Sequence, residues 1–84
     1  MHNKMEKIYV LTETDSTDSK WCHNQTFTTK EKAVAEMKRL YHENVIEREE
    51  LVVESDFNAE EGKAYGDMVD GITIAWNITE CELQ

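Results

Sequence analysis

Between Phe27 and Asn44 the apolar residues recur at three- and four-residue steps. Ala33, Val34, Met37, Leu40 and Tyr41 fall on one face of a helix, and Lys30, Lys32, Glu36, Lys38, Arg39 and Glu43 occupy the rest. Thr28 with Glu31 three residues on has the spacing of a capping box, and Asn44 tolerates the left-handed conformation that commonly ends a helix. The spacing predicts one amphipathic helix over about 28–44.

The segments around it have the character of strands. Lys7–Glu13, with Ile8, Tyr9, Val10 and Leu11, is short and β-rich, which predicts a strand covered on both faces. Thr14–Ser19 is a turn cluster. Lys20–Phe27 then alternates Trp21, His23, Gln25 and Phe27 against Cys22, Asn24 and Thr26, a second strand joined to the first as a hairpin. Its alternation is only partly apolar, which suits a sheet edge.

After the helix, Val45 and Ile46 are expected to tuck the exit under the core. Glu47–Glu50 is a charged connector or one further helical turn. Leu51–Phe57 predicts a third strand and Asn58–Gly62 a turn. Lys63–Val69 is ambiguous, because Gly62 and Gly66 argue against helix and weaken a strand. Asp70-Gly71 predicts a two-residue hairpin turn. Ile72–Thr79 alternates strictly, with Ile72, Ile74, Trp76 and Ile78 facing the helix; a slip near Glu80 predicts a bulge or a strand end.

The predicted order is ββαβ(β)β, an α+β domain with one helix packed on an antiparallel sheet of four to five strands. The expected core is Ile8, Val10, Ala33, Val34, Met37, Leu40, Tyr41, Val52, Ile72, Ile74, Trp76 and Ile78. Tyr9 and Leu11 would lie on the other sheet face with Val53, where an uncovered apolar patch favours a homodimer. At 84 residues, with no proline and no internal repeat, the chain reads as a single domain, 1–84, with residues 1–5 a disordered leader. No apolar run is long enough to span a membrane, and Ile8–Leu11 is too short for a signal-peptide core, so the expected compartment is the cytoplasm. Both cysteines would stay reduced there.

Charge changes the picture. Residues 1–42 hold six acids and seven bases, whereas residues 43–84 hold twelve acids and only Arg48 and Lys63. The whole net charge of −9 therefore belongs to the C-terminal half. That excludes phosphate binding through a basic surface and favours a partner that is itself basic. Glu47, Glu49, Glu50, Glu54, Asp56, Glu60 and Glu61 are the candidate partner-binding residues: strand three and its flanking turns would array them along one edge. Charge also protects sheet edges from pairing, which is the simpler account of the same row.

Little else carries chemistry. Cys22 and His23 adjoin on a strand and point to opposite faces, and Cys81, His2 and His42 supply no paired ligand spacing. No metal and no cofactor is expected. Cys22 with His42, or Cys81 with His23, would be the parts of a nucleophile–base pair, but no motif joins them. A Cys22–Cys81 disulfide is open geometrically and disfavoured by the compartment.

Two phrases have a familiar form: Ile8-Tyr9-Val10-Leu11-Thr12-Glu13, and Phe27-Thr28-Thr29-Lys30-Glu31-Lys32-Ala33 opening the helix. With the closing Ile78-Thr79-Glu80-Cys81-Glu82-Leu83 they resemble small bacterial and phage (prophage) α+β proteins of strand-strand-helix-strand layout, a group with no assigned activity. The segment from Leu51 to Gly71, which holds Glu54, Asp56, Glu60 and Glu61, departs from the shortest members of that group. The resemblance implies a phage or prophage accessory protein, a class in which small acidic inhibitors of host systems occur. The expectation is thus a non-enzymatic domain that binds a protein with a basic surface and does not bind nucleic acid or membrane directly. The alternative is a structural, self-associating homodimer.

Overall fold

A computed structural model describes residues 6–18 and 22–83; the expected leader and Trp21 lie outside them. The chain runs β1 (Glu6–Asp15), β2 (Cys22–Phe27), α1 (Lys30–Asn44), a 3-10 helix (Ile46–Leu51), β3 (Val52–Asn58), β4 (Lys63–Met68) and β5 (Thr73–Leu83). All five strands form one antiparallel sheet in the order β2-β1-β5-β4-β3, and α1 packs on one face of it. This is the expected α+β architecture, with the ambiguous segment supplying a full strand.

Two hairpins, β1–β2 and β3–β4, are thus joined through β5. That strand pairs with β1 over ten residues, from Glu6 opposite Leu83 to Asp15 opposite Ile74. The predicted bulge near Glu80 is absent, because the pairing stays in register through Tyr9 opposite Glu80 and Ile8 opposite Cys81. The apolar pattern changes face there without any change in the backbone.

The core lies between α1 and the sheet: Leu11, Ala33, Met37, Val45, Ala64 and Trp76 are buried, with Phe27, Leu40, Tyr41, Val52, Phe57, Ile74 and Ile78 packed around them. Tyr41 meets Trp76 edge-on at 6.1 Å and Phe57 at 5.3 Å. The expected assignment of β1 is reversed. Leu11, at 1 % exposure, stands opposite Ile78 and Gln25 on the helix side, so Ile8 and Val10 face the other way, half-buried. Four consecutive apolar residues leave β1 without a period to read, and its pairing with β5 decides the face. Tyr9 and Leu11 therefore do not form the outer patch predicted for a homodimer.

Three local corrections concern turns and caps. Thr29, not Thr28, caps α1: its backbone is extended, and its hydroxyl accepts the Lys32 N–H at 3.2 Å. Asn44 stays helical and donates its side-chain amide to the Leu40 carbonyl at 2.8 Å, so the chain leaves through Val45 with no left-handed residue. The β4–β5 turn has three residues, Val69–Gly71, rather than two. Met68 donates to Ile72 O at 2.8 Å, and Gly71, at φ +89°, donates to Met68 O at 3.0 Å.

Val45 is buried as expected, whereas Ile46 turns outward at 45 % exposure. A bulge falls between Val52 and Glu54, leaving Val53 without a partner across β4 and 69 % exposed.

Candidate protein-binding face

On the β3–β4 hairpin, alternation sends Ser55 and Phe57, with Ala64 and Gly66, towards α1. Glu54 and Asp56, with Tyr65 and Asp67, go to the opposite side, which no described element covers, in pairs Glu54–Asp67 and Asp56–Tyr65. The division is visible in the bonds: Tyr41 on the helix reaches Ser55 Oγ at 3.0 Å, while Tyr65 on the open side donates to Glu54 Oε2 at 3.0 Å. That bond holds the Tyr65 phenol above its ordinary pKa. Loss of hydration adds to the effect, as do the charges of Glu54, Asp67 and Asp56. Three carboxylates therefore share one small surface around a single phenol. Asp67 is fixed further by the Thr73 hydroxyl at 2.6 Å.

The other predicted residues sit at the two ends of this strip. Glu47, Glu49 and Glu50 are exposed on the 3-10 helix that leads into β3, and Glu47 is in contact with His42 Nδ1 at 3.2 Å. Glu60 and Glu61 are exposed in the turn that leaves it. Here the Glu60 carbonyl accepts Lys30 Nζ at 2.7 Å, and the Glu61 N–H donates to Asn58 Oδ1 at 2.9 Å. The seven candidates thus form a middle pair on β3 and two groups on the segments that flank it, and the strand between those groups is about 20 Å long at roughly 3.3 Å per residue. A shallow depression of about 390 Å³ lies beside the middle pair, lined by Asp56, Asn58, Glu61, Lys63, Tyr65 and Asn77 among others. At the 3-10 end the surface turns apolar. Leu51, Met68, Val69 and Ile72 line a cleft of about 220 Å³ rimmed by Asp15, Arg48 and Asp70.

Tyr65 and Asp67 are the members of this face that the site prediction left out. Their signal was present: Lys63, Tyr65 and Asp67 alternate with Ala64, Gly66 and Met68, a two-residue period partly hidden by the glycine.

The cysteine and histidine combinations do not converge. Cys22 pairs with Thr14 and Cys81 with Ile8, six residues apart along β1 and so about 20 Å, which rules out the Cys22–Cys81 disulfide that spacing had left open. Both thiols are free. His23 is on the helix side of β2 and Cys81 on the open side of β5. Likewise the sheet separates Cys22 from His42. Among the described residues no three His, Cys, Asp or Glu side chains are placed to hold a metal ion, and no helix is long and apolar enough to cross a membrane. No family model matches the chain, and neither does any curated protein or solved structure.

Proposed function

We propose that this chain is an acidic protein-binding domain, acting by binding and not by catalysis, whose β3–β4 face occupies a basic site on a partner protein. The observation that supports this reading is the gathering of Glu54, Asp56 and Asp67 around Tyr65 on the sheet face opposite α1, with Glu61 beside Asp56 and with Glu49, Glu50 and Glu60 exposed on the segments that flank β3. Carboxylates held on two paired strands present a fixed cluster of negative charge, which complements a groove built for nucleic-acid phosphates. Tyr65 adds a rigid aromatic contact of the kind that anchors protein interfaces. The depression beside Asp56 and Glu61 admits a lysine or arginine side chain from the partner. On this reading the domain works in the cytoplasm as a phage-type inhibitor, displacing nucleic acid from a host protein. Its association is fast and salt-sensitive.

The test is retention from a host lysate on the immobilised domain, eluted with a salt gradient. It is run in parallel with a variant carrying Glu49→Lys, Glu50→Lys, Glu54→Lys and Asp56→Lys. A nucleic-acid-handling protein held by the native domain, released at moderate salt and lost from the folded variant, is the expected outcome. Equal retention by both would sink the reading.

A further inference from the structure

The two edges of the sheet are built differently. β3 is guarded: a bulge at Val52–Glu54 breaks its regularity, and Glu54 and Asp56 place charge on it, both devices that keep an edge from pairing with another chain. β2 has neither. Its six residues, Cys22, His23, Asn24, Gln25, Thr26 and Phe27, include no lysine, arginine, aspartate, glutamate or proline, and they pair with β1 in unbroken register from Thr14–Cys22 to Tyr9–Phe27. Among the described residues no strand lies on its outer side.

We infer that β2 is a self-pairing edge and that its occupant is a second copy of this chain. The two β2 strands run antiparallel across a two-fold axis, so that two five-stranded sheets become one of ten. This goes beyond the acidic-face reading and uses the opposite side of the molecule.

Charge favours a second copy at this edge and forbids it at the other. A two-fold axis sets each residue near its own counterpart, so a strand can pair with itself only if its side chains tolerate that. Self-pairing of β3 would bring Glu54 and Asp56 against Glu54 and Asp56, whereas self-pairing of β2 joins amides, a hydroxyl, a thiol, the Phe27 ring and the His23 imidazole, with no carboxylate among them. The strand order then sends the two acidic β3–β4 hairpins to the far ends of the joined sheet, with β5, β1 and β2 of each copy between them. The helix beside the junction is close to neutral, with Lys30, Lys32, Lys38 and Arg39 against Glu31, Glu36 and Glu43.

The two-fold lies perpendicular to the sheet and keeps the α1 side of both copies together, so paired residues must share a face. The two registers that pair most of the described strand are centred on Asn24 and on Gln25, and each pairs five of its residues. An interface this short sits at the weak end of the range, so self-association is expected only at high chain concentration. Because each chain carries −9 and the junction carries no fixed negative charge, salt screens the repulsion and strengthens the dimer. Binding of a basic partner through β3–β4 responds to salt in the opposite sense, so failure of one reading is distinguishable from failure of the other.

Sedimentation equilibrium over a concentration series at low and high salt tests this. The native chain should show a monomer–dimer equilibrium that shifts towards dimer as salt rises. Asn24→Lys with Thr26→Lys, both at exposed positions, should weaken dimerisation at least tenfold with an unchanged circular dichroism spectrum, and Val53→Lys on the β3 edge should leave it unaltered. In a Cys22→Ser, Cys81→Ser background, oxidation should link the copies through Asn24→Cys in one register or Gln25→Cys in the other, since directly opposed residues lie within disulfide reach. A native chain monomeric throughout would overturn the proposal. So would a dimer that the β2 lysines leave intact, one that Val53→Lys abolishes, or one that neither cysteine links.

Discussion

Val45 and Gly66 meet across the helix–sheet interface so closely that a Cβ on Gly66 would lie 2.6 Å from Cγ2 of Val45. Gly66 is therefore an empty place in β4 filled by the residue that ends α1. Val45, at 2 % exposure, has little room to withdraw. Gly66→Ala should destabilise the fold by about 1–3 kcal/mol, despite alanine being the better strand residue, because overpacking outweighs the gain in propensity. Denaturant unfolding would measure it. Adding Val45→Ala should return part of the loss, and strictly additive effects would mean the two residues do not share that space.

A second prediction concerns Trp76, whose indole N–H donates to Glu13 Oε1 at 3.0 Å across 63 residues of sequence. Trp76 is 2 % exposed, so its single polar atom depends on this partner. Glu13→Ala should cost about 1–3 kcal/mol by leaving that donor unpaired, and Glu13→Gln, which keeps an acceptor, should cost less. Equal costs would show that the acceptor does not matter.

The helix cap separates two neighbouring threonines. Thr29→Ala should lose about 1 kcal/mol of stability, whereas Thr28→Ala should be close to neutral, since only Thr29 accepts an N–H of the first turn. Equilibrium unfolding of the two single variants decides between the observed cap and the one that the capping-box spacing predicts.

That displacement by one residue is typical of what could be read from the chain and what could not. The helix face was legible because Ala33, Met37, Leu40 and Tyr41 keep a strict period, as Ile74, Trp76 and Ile78 do on β5. The face of β1 was not, since Ile8–Leu11 is apolar throughout and its orientation comes from partners distant in sequence. The same holds for the candidate face. Its carboxylates were visible in the composition of the C-terminal half, but Tyr65 joins them only through the cross-strand pairing of β4 with β3. The separation of Cys22 from Cys81 is likewise a matter of register, which single-strand patterns do not contain.

Tyr65 gives a pH-dependent readout of that face. Folding raises its pKa, so the native phenol keeps its proton where the unfolded chain loses it. The associated stability is fully present below the ordinary tyrosine value of about 10 and is lost as pH rises through the raised one. The Tyr65 ring carbon shift, followed by NMR, should titrate above the ordinary range in the native domain and move down towards it in Glu54→Gln. A midpoint that Glu54→Gln leaves unmoved would mean that the hydrogen bond is not its main cause.

The place of β5 in the sheet has a consequence for how the molecule comes together in time. It is the last described element in sequence, yet it is the only strand bonded to both hairpins. Until it arrives, β1–β2 and β3–β4 share no ladder, and the pocket that receives Trp76 has no floor. A nascent chain emerging from the ribosome must therefore hold two separate ribbons and an uncovered helix face until β5 is made. Assembly then occurs in one late step that closes contacts across most of the chain, which predisposes it to slow folding for its size.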